Sequence, residues 1–501
     1  MQRSSDKIKQ HFDALAPDKH LWLEKNSYYY ETQLSVFHFL VPPGKKVLEL
    51  GCGTGDLLSA LKPAYGVGVD LSGRMIALAR EKYPSFLFLE GDAEDPLSWG
   101  IKDKFDFIIM SDVVGYFQDI QIALDRLHEF CDPSTRLIIS YYNLLWEPVL
   151  KMAERFKLKT PTGIGNWLSP GDLENLLFLS DYETIKKERR LLVPKKIPFI
   201  YPLIEFIGCL PVINRMCITN YLVAKPKKIS KPDLSKSVSV VIPCKNEKGN
   251  IEAAITRMPS IGLYTEIIFV VGESVDGTYE EICRIIDKYP EKIIRCLVQD
   301  GTGKGDAVRK GFKDATGEVV MILDADLTVS PEDLPKFYDA IVQDKGDMIN
   351  GCRLVYSMEN EAMRFLNMLG NKFFSLLFSW LLNQRIKDTL CGTKVLLREN
   401  YELIAANRNY FGKIDPFGDF DLLFGASRHN LKIIEIPIRY GARMYGRTQI
   451  RRFYHGFILL KMCFGAIGRM KMFHYAGITK TPIISKIKAF IRLIRDHYIA
   501  R

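Results

Sequence analysis

Near the middle of the chain, between two apolar strand-like runs, lies the stretch Ala224-Lys-Pro-Lys-Lys-Ile-Ser-Lys-Pro-Asp-Leu-Ser-Lys-Ser237. A segment so rich in lysine, proline and serine has too little apolar surface to enter a packed core and reads as a linker. A chain of 501 residues is also too long for one hydrophobic core. The expected organisation is therefore a domain over 1–225, a linker over 226–236, a second domain over 237–472 and a tail over 473–501.

On each side of the linker, apolar strand-like runs alternate with helical periodicity. In the first half these are KKVLEL, GVGVDL, FLFLEGD, FDFIIMSD and RLIISYYN; in the second they are VSVVIP, EIIFVV, IIRCLVQ, EVVMILDAD and KIIEIPIRY. Alternation of this kind predicts two α/β domains with mainly parallel sheets. Ligands of such sheets bind at the carboxyl ends of the strands, and the residues singled out below lie there.

Composition narrows the function classes. With 47% hydrophobic and 26% charged residues the chain is of ordinary globular type. Its ten cysteines are scattered without a C-x-x-C pair, which speaks against a disulfide framework or a structural zinc site and fits a reducing cytosol. The charged, proline-broken N-terminus, MQRSSDKIKQHFDALAPD, lacks the apolar stretch of a secretion signal. No apolar run reaches the roughly 20 residues of a membrane span; the best, Phe373 to Leu382, is FFSLLFSWLL. The net charge of +10 is uneven, since after Glu435 the only acid is Asp496. The tail ISKIKAFIRLIRDHYIAR sets isoleucines and Phe490 at helical spacing against lysines and arginines. That is the pattern of an interfacial basic helix on an anionic membrane. A nucleic-acid partner is not expected, because no RNA-reading module is visible.

The first site begins at VLELGCGTGDLLSAL, where a buried strand passes through Gly51, Gly53 and Gly55 into a helix. Glycines permit a tight turn and close backbone approach to a ligand. Asp70 then ends the second strand run, Asp92 the third, and Ser111 with Asp112 the fourth. Acids at such places also cap helices, but capping alone does not explain the series in strand order after that glycine turn.

This order resembles class I S-adenosylmethionine-dependent methyltransferases over about Lys7 to Lys225. The resemblance implies a Rossmann-like fold in which Glu49 through Gly55 cradle the methionine part of S-adenosylmethionine. It further implies that Asp70 binds the ribose and that Asp92 and Ala93 meet the adenine, with Ser111 counted in the same site. HLWLEKNSYYY is expected to fold over the cofactor as a lid, and SYYNLLWEP to line the acceptor pocket. Methyl transfer requires mainly alignment of the acceptor, so no catalytic base is demanded.

The second site centres on LDADLTVSPEDL. Asp324 and Asp326, read at i and i+2 on a strand, would point to one side and share a hard divalent cation, Mg²⁺ or Mn²⁺. Upstream, VSVVIPCKNEKGNIEAAI carries Pro243 and Glu247, EIIFVVGESVDGT carries Glu273 and Asp276, and DGTGKGDAVRKGF carries Lys304. A P-loop is excluded, because Lys304 is followed by glycine.

The arrangement resembles glycosyltransferase family 2, of the GT-A fold, over about Ser237 to Met472, and within it the dolichyl-phosphate mannose synthases and related polyprenyl-phosphate sugar transferases. The resemblance implies that Asp324 and Asp326 hold a metal ion on the diphosphate of a nucleotide sugar. Pro243, Glu247, Glu273 and Asp276 fall on the nucleoside side and Lys304 near the diphosphate. IKDTLCGTKVL matches the family's D-x-x-S-G-F region, with Cys391 for Ser and Thr393 for Phe. Where the family has a carboxylate directly after the second strand, this chain has Val271 and Gly272. DPFGDFDLLFGA supplies Asp419 and Asp421 near the acceptor, and Arg443, in IPIRYGARMYGRTQI, is the expected phosphate-gripping arginine.

Taken together, the sequence predicts a bifunctional transferase. Its acceptor would be a polyprenyl phosphate or a glycan, at the cytoplasmic face of a membrane to which the protein is peripherally bound. The competing readings are a non-catalytic half, above all the transferase half, or a basic nucleic-acid methyltransferase. The sugar, the base, the methyl acceptor and the oligomeric state stay open.

Overall fold

The computed structural model describes residues 4–161, 166–227, 235–353, 365–408, 418–441, 443, 445–446 and 452–472. The chain divides into two compact units that interleave in sequence. One comprises Met1–Ser180, Glu188–Leu222 and Ala466 onward; the other comprises Asp181–Lys187 and Val223–Gly465.

The first sheet holds seven strands: β1 (Lys46–Leu50), β2 (Tyr65–Asp70), β3 (Leu87–Glu90), β4 (Phe107–Ser111), β5 (Arg136–Tyr142), β6 (Tyr182–Arg190) and β7 (Thr219–Pro226). Their order is β3-β2-β1-β4-β5-β7-β6. The pairs β1–β2, β1–β4, β2–β3 and β4–β5 are all parallel. Val47, Leu48, Leu50, Ile108, Ile109 and Met110 are fully buried, as expected of parallel strands covered on both faces. The order reverses direction at β1 and β4, and at such a switch point the strand ends splay to leave a crevice.

The second sheet also holds seven: β8 (Val238–Cys244), β9 (Thr265–Val271), β10 (Ile293–Val298), β11 (Val319–Ile322), β12 (Met348–Cys352), β13 (Lys394–Leu397) and β14 (Ile433–Pro437). Their order is β10-β9-β8-β11-β13-β12-β14. β13 runs antiparallel to both β11 and β12, while β8–β9, β8–β11, β9–β10 and β12–β14 are parallel. The reversal at β13 lays the turn before it, Cys391 to Thr393, beside the end of β11.

Four strands depart from the sequence reading. β6 reads YETIKKERR, and its charges mask it. They are matched in place, since Arg190 pairs with Glu188 at 2.9 Å. β12 and β13 are short and lie among glycine and polar residues. β7 extends through Pro226, so Ala224 to Pro226, read as linker, are strand. Lys225 is wholly buried there and is held by Asp344 at 2.9 Å and Asp347 at 3.0 Å. A buried ammonium needs such partners, and a lysine beside proline hides that need in the sequence. Most of the expected linker and the basic tail over 473–501 lie outside the described residues. Among the described residues no helix is long and apolar enough to cross a membrane.

Candidate active sites

In the first unit the turn after β1 is built on left-handed glycines, with φ of +68° at Gly51, +53° at Gly53 and +76° at Gly55. A Cβ on Gly51 would strike the Val113 side chain, and one on Gly55 the Phe88 ring. Conformation and space both require glycine there. Asp70, at the end of β2, accepts from the Gly53 N–H at 2.8 Å and the Ser72 N–H at 2.9 Å. Burial lifts its carboxyl above the usual range against those two donors.

A cavity of about 240 Å³ opens at these strand ends. Of the residues expected to hold a cofactor, Glu49, Gly51, Gly53, Asp70, Asp92, Ala93 and Ser111 line it. Gly55 instead packs the helix start against Phe88. Glu49 is 2% exposed, and its Oε2 has no hydrogen-bond partner among the described residues. Burial pushes its carboxyl well above the ordinary glutamate value. A buried carboxylate oxygen left unmatched on a cavity wall suits a cationic ligand. S-adenosylmethionine, which carries a sulfonium and an ammonium, fits that requirement.

The cavity is also walled by Lys19, Leu23, Tyr30, Gln33, Asp112 and Tyr142. Asp112, at φ +56°, accepts from the Tyr29 hydroxyl, from Gln33 Nε2 at 2.8 Å and from Ser140 Oγ at 2.8 Å. This knot fastens the helix Ser27–Leu40 to the ends of β4 and β5. Leu23 and Tyr30 come from the expected lid, whereas Gln33 lies past it. Of SYYNLLWEP only Tyr142 lines the cavity. Asn143 and Trp146 instead hold the loop at residues 215–217, through Asn143 Nδ2 to the Arg215 and Cys217 carbonyls and Trp146 Nε1 to the Met216 carbonyl.

In the second unit β11 stops at Ile322, so Asp324 and Asp326 stand beyond the strand rather than on one face of it. They turn to different partners. Asp324 Oδ1 lies 2.6 Å from Lys304 Nζ. Asp326 Oδ2 lies 2.6 Å from Arg443 Nη2, while its Oδ1 accepts from Thr328 Oγ1 at 2.8 Å. The Thr328 N–H also donates to the same oxygen, at 3.2 Å, and fixes Asp326 in the turn after β11. Arg443 also reaches Glu247 Oε1 at 2.9 Å through Nη1, and Glu247 accepts from Asn250 at 2.7 Å. One guanidinium thus bridges two acids.

Around Asp324 the charges form a second knot. Asp419, in the first turn of the helix Asp419–Arg428, lies 3.2 Å from Lys394 Nζ and 3.9 Å from Lys304 Nζ. Burial opposes the Lys304 ammonium, yet Asp324 and Asp419 hold its pKa above the ordinary lysine value. Burial likewise opposes the Asp324 carboxylate, and Lys304 keeps its pKa below the usual range. A Cβ on Gly392 would overlap both the Asp324 carboxylate and the Lys304 ammonium.

The remaining expected residues stand apart. Asp421 pairs with Arg408 at 2.6 Å. Asp276 accepts from the Lys248 and Thr278 N–H groups, each at 3.1 Å, and so shapes the loop after β9. Pro243 lies within β8, and Glu273 is exposed. Sequence reasoning missed Lys394, which is fully buried and also donates to the Cys391 carbonyl. Its signal was present in CGTKVL: a lysine opening an apolar strand must meet an acid. It also missed Arg353, which grips Asp388 with two donors at 2.7 and 2.8 Å.

Residues 22–187 match the family model described as methyltransferase domain, and residues 239–403 match glycosyl transferase family 2. The chain joins a methyltransferase domain to a family 2 glycosyltransferase domain. The glycosyltransferase half is similar to a dolichol-phosphate mannosyltransferase of Pyrococcus furiosus, 32% identical over 220 residues that cover 43% of this chain and 59% of that protein. It is also similar to an undecaprenyl-phosphate 4-deoxy-4-formamido-L-arabinose transferase of Aeromonas hydrophila, 33% identical over 112 residues, or 22% of this chain and 34% of that protein. The alignments thus span well under two thirds of these relatives. Among solved structures, a SAM-dependent methyltransferase of Thermotoga maritima, titled a possible histamine N-methyltransferase, aligns with a TM-score of 0.34 at 19% identity, over 44% of this chain and all of that one.

Two variants test the two sites. Because the Glu49 pKa is raised on folding, the folded, ligand-free protein binds that proton more tightly than the unfolded chain. The cost in stability is therefore complete above the folded pKa, shrinks as pH falls below it and is gone only below the pKa of the unfolded chain. Glu49→Gln should raise the melting temperature of the first transition near neutral pH, with the gain shrinking under acid conditions. A gain independent of pH would assign the effect to packing. Gly392→Ala should displace only the tips of two side chains, so it should change the urea midpoint little while abolishing nucleotide-sugar binding measured by calorimetry. Full retention of binding would remove the Asp324–Lys304 pair from the site.

Proposed function

We propose that the chain is a bifunctional transferase. The first half would move a methyl group from S-adenosylmethionine, and the second would move a sugar from a nucleotide sugar to a polyprenyl phosphate with a divalent metal ion. For the first half, support comes from the glycine turn, Asp70 and Asp92 on one cavity with the unmatched Glu49 oxygen.

For the second half, the observation that carries the reading is the division of the two aspartates between separate cations, Lys304 and Arg443. A diphosphate entering between these groups would find two mobile positive side chains to grip it and two hard carboxylates to share an ion with. Mg²⁺ or Mn²⁺ is commonly held by one or two carboxylates plus substrate phosphates, and the donor set fits that habit. Bound there, the ion would neutralise the leaving diphosphate. Lys304, with its raised pKa, stays charged across the physiological range. Arg443 offers the forked geometry that suits phosphate.

An acceptor phosphate is already ionised at neutral pH, so the transfer needs no general base. Asp421, matched by Arg408, fits that expectation, and Asp419 is engaged by two lysines. The names of the relatives, which act on dolichol phosphate and undecaprenyl phosphate, support a lipid phosphate as acceptor. A lipid acceptor in turn suits a protein bound peripherally at the cytoplasmic face of a membrane.

The test pairs metal removal with substitution. EDTA should abolish sugar transfer to a polyprenyl phosphate, and added Mg²⁺ or Mn²⁺ should restore it. Asp326→Ala should lower transfer by roughly 1,000-fold or more, since an ion on the leaving group contributes several kcal/mol. S-adenosylmethionine binding by the same variant should be unchanged, and Glu49→Gln should show the converse pattern. Transfer that survives EDTA, or a loss of only a few-fold in Asp326→Ala, would overturn the metal-dependent reading. Tight nucleotide-sugar binding with no transfer to any acceptor would make the second half a binding domain.

A further inference from the structure

An exposed apolar surface on the first unit belongs to neither site. Every residue from Pro194 to Ile200 is exposed. Phe199 is 97% exposed and Val212 72%, and both hold left-handed backbone, at φ +67° and +73°. Ile200, Leu203 and Met216 are also exposed. These residues form one surface. The helix Tyr201–Cys209 packs on the short turn Ile213–Met216. Trp146 Nε1 holds the Met216 carbonyl at 2.7 Å, and Asn143 Nδ2 holds the Arg215 carbonyl at 2.8 Å. Through them the surface continues into Leu145, Val149 and Met152, on and before the helix Glu147–Arg155, all of them exposed.

The charges around this surface are of one sign. Lys195, Lys196 and Arg215 are exposed beside the apolar tips. The acids on the same segments are taken up: Glu205 accepts from the Tyr28 hydroxyl, Glu147 pairs with Lys151 and Glu154 pairs with Lys159. Monomeric proteins seldom expose contiguous apolar area of this kind without a use for it. Protein interfaces are depleted in lysine, whereas apolar tips flanked by lysine and arginine match an anionic bilayer, with the tips at the acyl boundary and the cations among headgroups.

We propose that the methyltransferase unit docks on an anionic membrane surface through Phe199, Ile200, Leu203, Val212 and Met216, with Lys195, Lys196 and Arg215 on the headgroups. This contact is distinct from the basic tail and from the apolar run Phe373 to Leu382. It stands whichever methyl acceptor or sugar the two sites take.

The experiment uses the full chain carrying Phe199→Trp, with the emission of the native tryptophans removed by subtracting the wild type. Phosphatidylcholine–phosphatidylglycerol vesicles should shift the difference emission to the blue, brominated acyl chains should quench it, and high salt should weaken both. Phe199→Asp combined with Val212→Asp should lower vesicle affinity at least ten-fold, the least expected when two buried apolar side chains are lost. An unshifted difference spectrum while the protein sediments with vesicles would place binding on another surface and overturn the proposal. So would a signal already blue-shifted without lipid, which would mean that the chain's own residues cover the patch. A shift that follows protein concentration alone would assign the patch to a second copy, and would overturn it equally.

Discussion

A carboxylate at the end of a buried strand must be matched by a cation, by donors or by a ligand, because the low-dielectric interior penalises an isolated charge by several kcal/mol. Both sites answer to this constraint, in opposite ways. In the glycosyltransferase unit Asp324, Asp326, Glu247 and Asp419 are satisfied within the protein by Lys304, Lys394 and Arg443. In the methyltransferase unit Asp70 is satisfied by backbone N–H groups, while Glu49 keeps one oxygen unmatched on a cavity wall.

The difference has chemical meaning. An internally neutralised set of acids is stable as it stands, and on the function proposed above its lysine and arginine side chains would move to phosphate while an ion took the carboxylates. An unmatched carboxylate cannot exchange anything. Its ionised form is held at a cost in stability, so on the proposed reading binding and stability would be linked at Glu49 in a way that they are not at Asp326.

Much of this was legible in the sequence, because the features that carry it are local. The glycine turn, the acids at successive strand ends and the D-x-D run each lie within one segment, and an apolar run followed by a charged residue marks a strand end without reference to the rest of the chain. What could not be read was pairing across the fold. Asp324 and Asp326 looked like a single ligand pair because a strand places i and i+2 on one side. The strand ends at Ile322, and the sequence does not show that Asp324 meets Lys304 while Asp326 meets Arg443. Gly392 and Arg353 were invisible for the same reason, since what they touch lies elsewhere in the chain, and CGTKVL told that Lys394 needs an acid without naming Asp419. β6 failed differently. Its charges are those of a surface segment, and they are tolerated in a strand because Arg190 meets Glu188, Glu183 meets Lys432 and Lys186 meets the Ser427 carbonyl.

The antiparallel return of β13 also governs when the transferase site can exist. The charges gathered there, Glu247, Lys304, Asp324, Lys394, Asp419 and Arg443, are spread along the chain from just after β8 to the segment after β14. Contacts between residues so far apart in the chain close late, because loop entropy must be overcome before they contribute. During synthesis the methyltransferase segments up to Leu222 leave the ribosome first, and domains fold as they emerge. The sugar-handling charges meet only when nearly the whole second unit has been made. A chain stopped before Arg443 would therefore leave Glu247 and Asp326 without the cation they share, and would also lack the segment from Ala466 onward that belongs to the first unit.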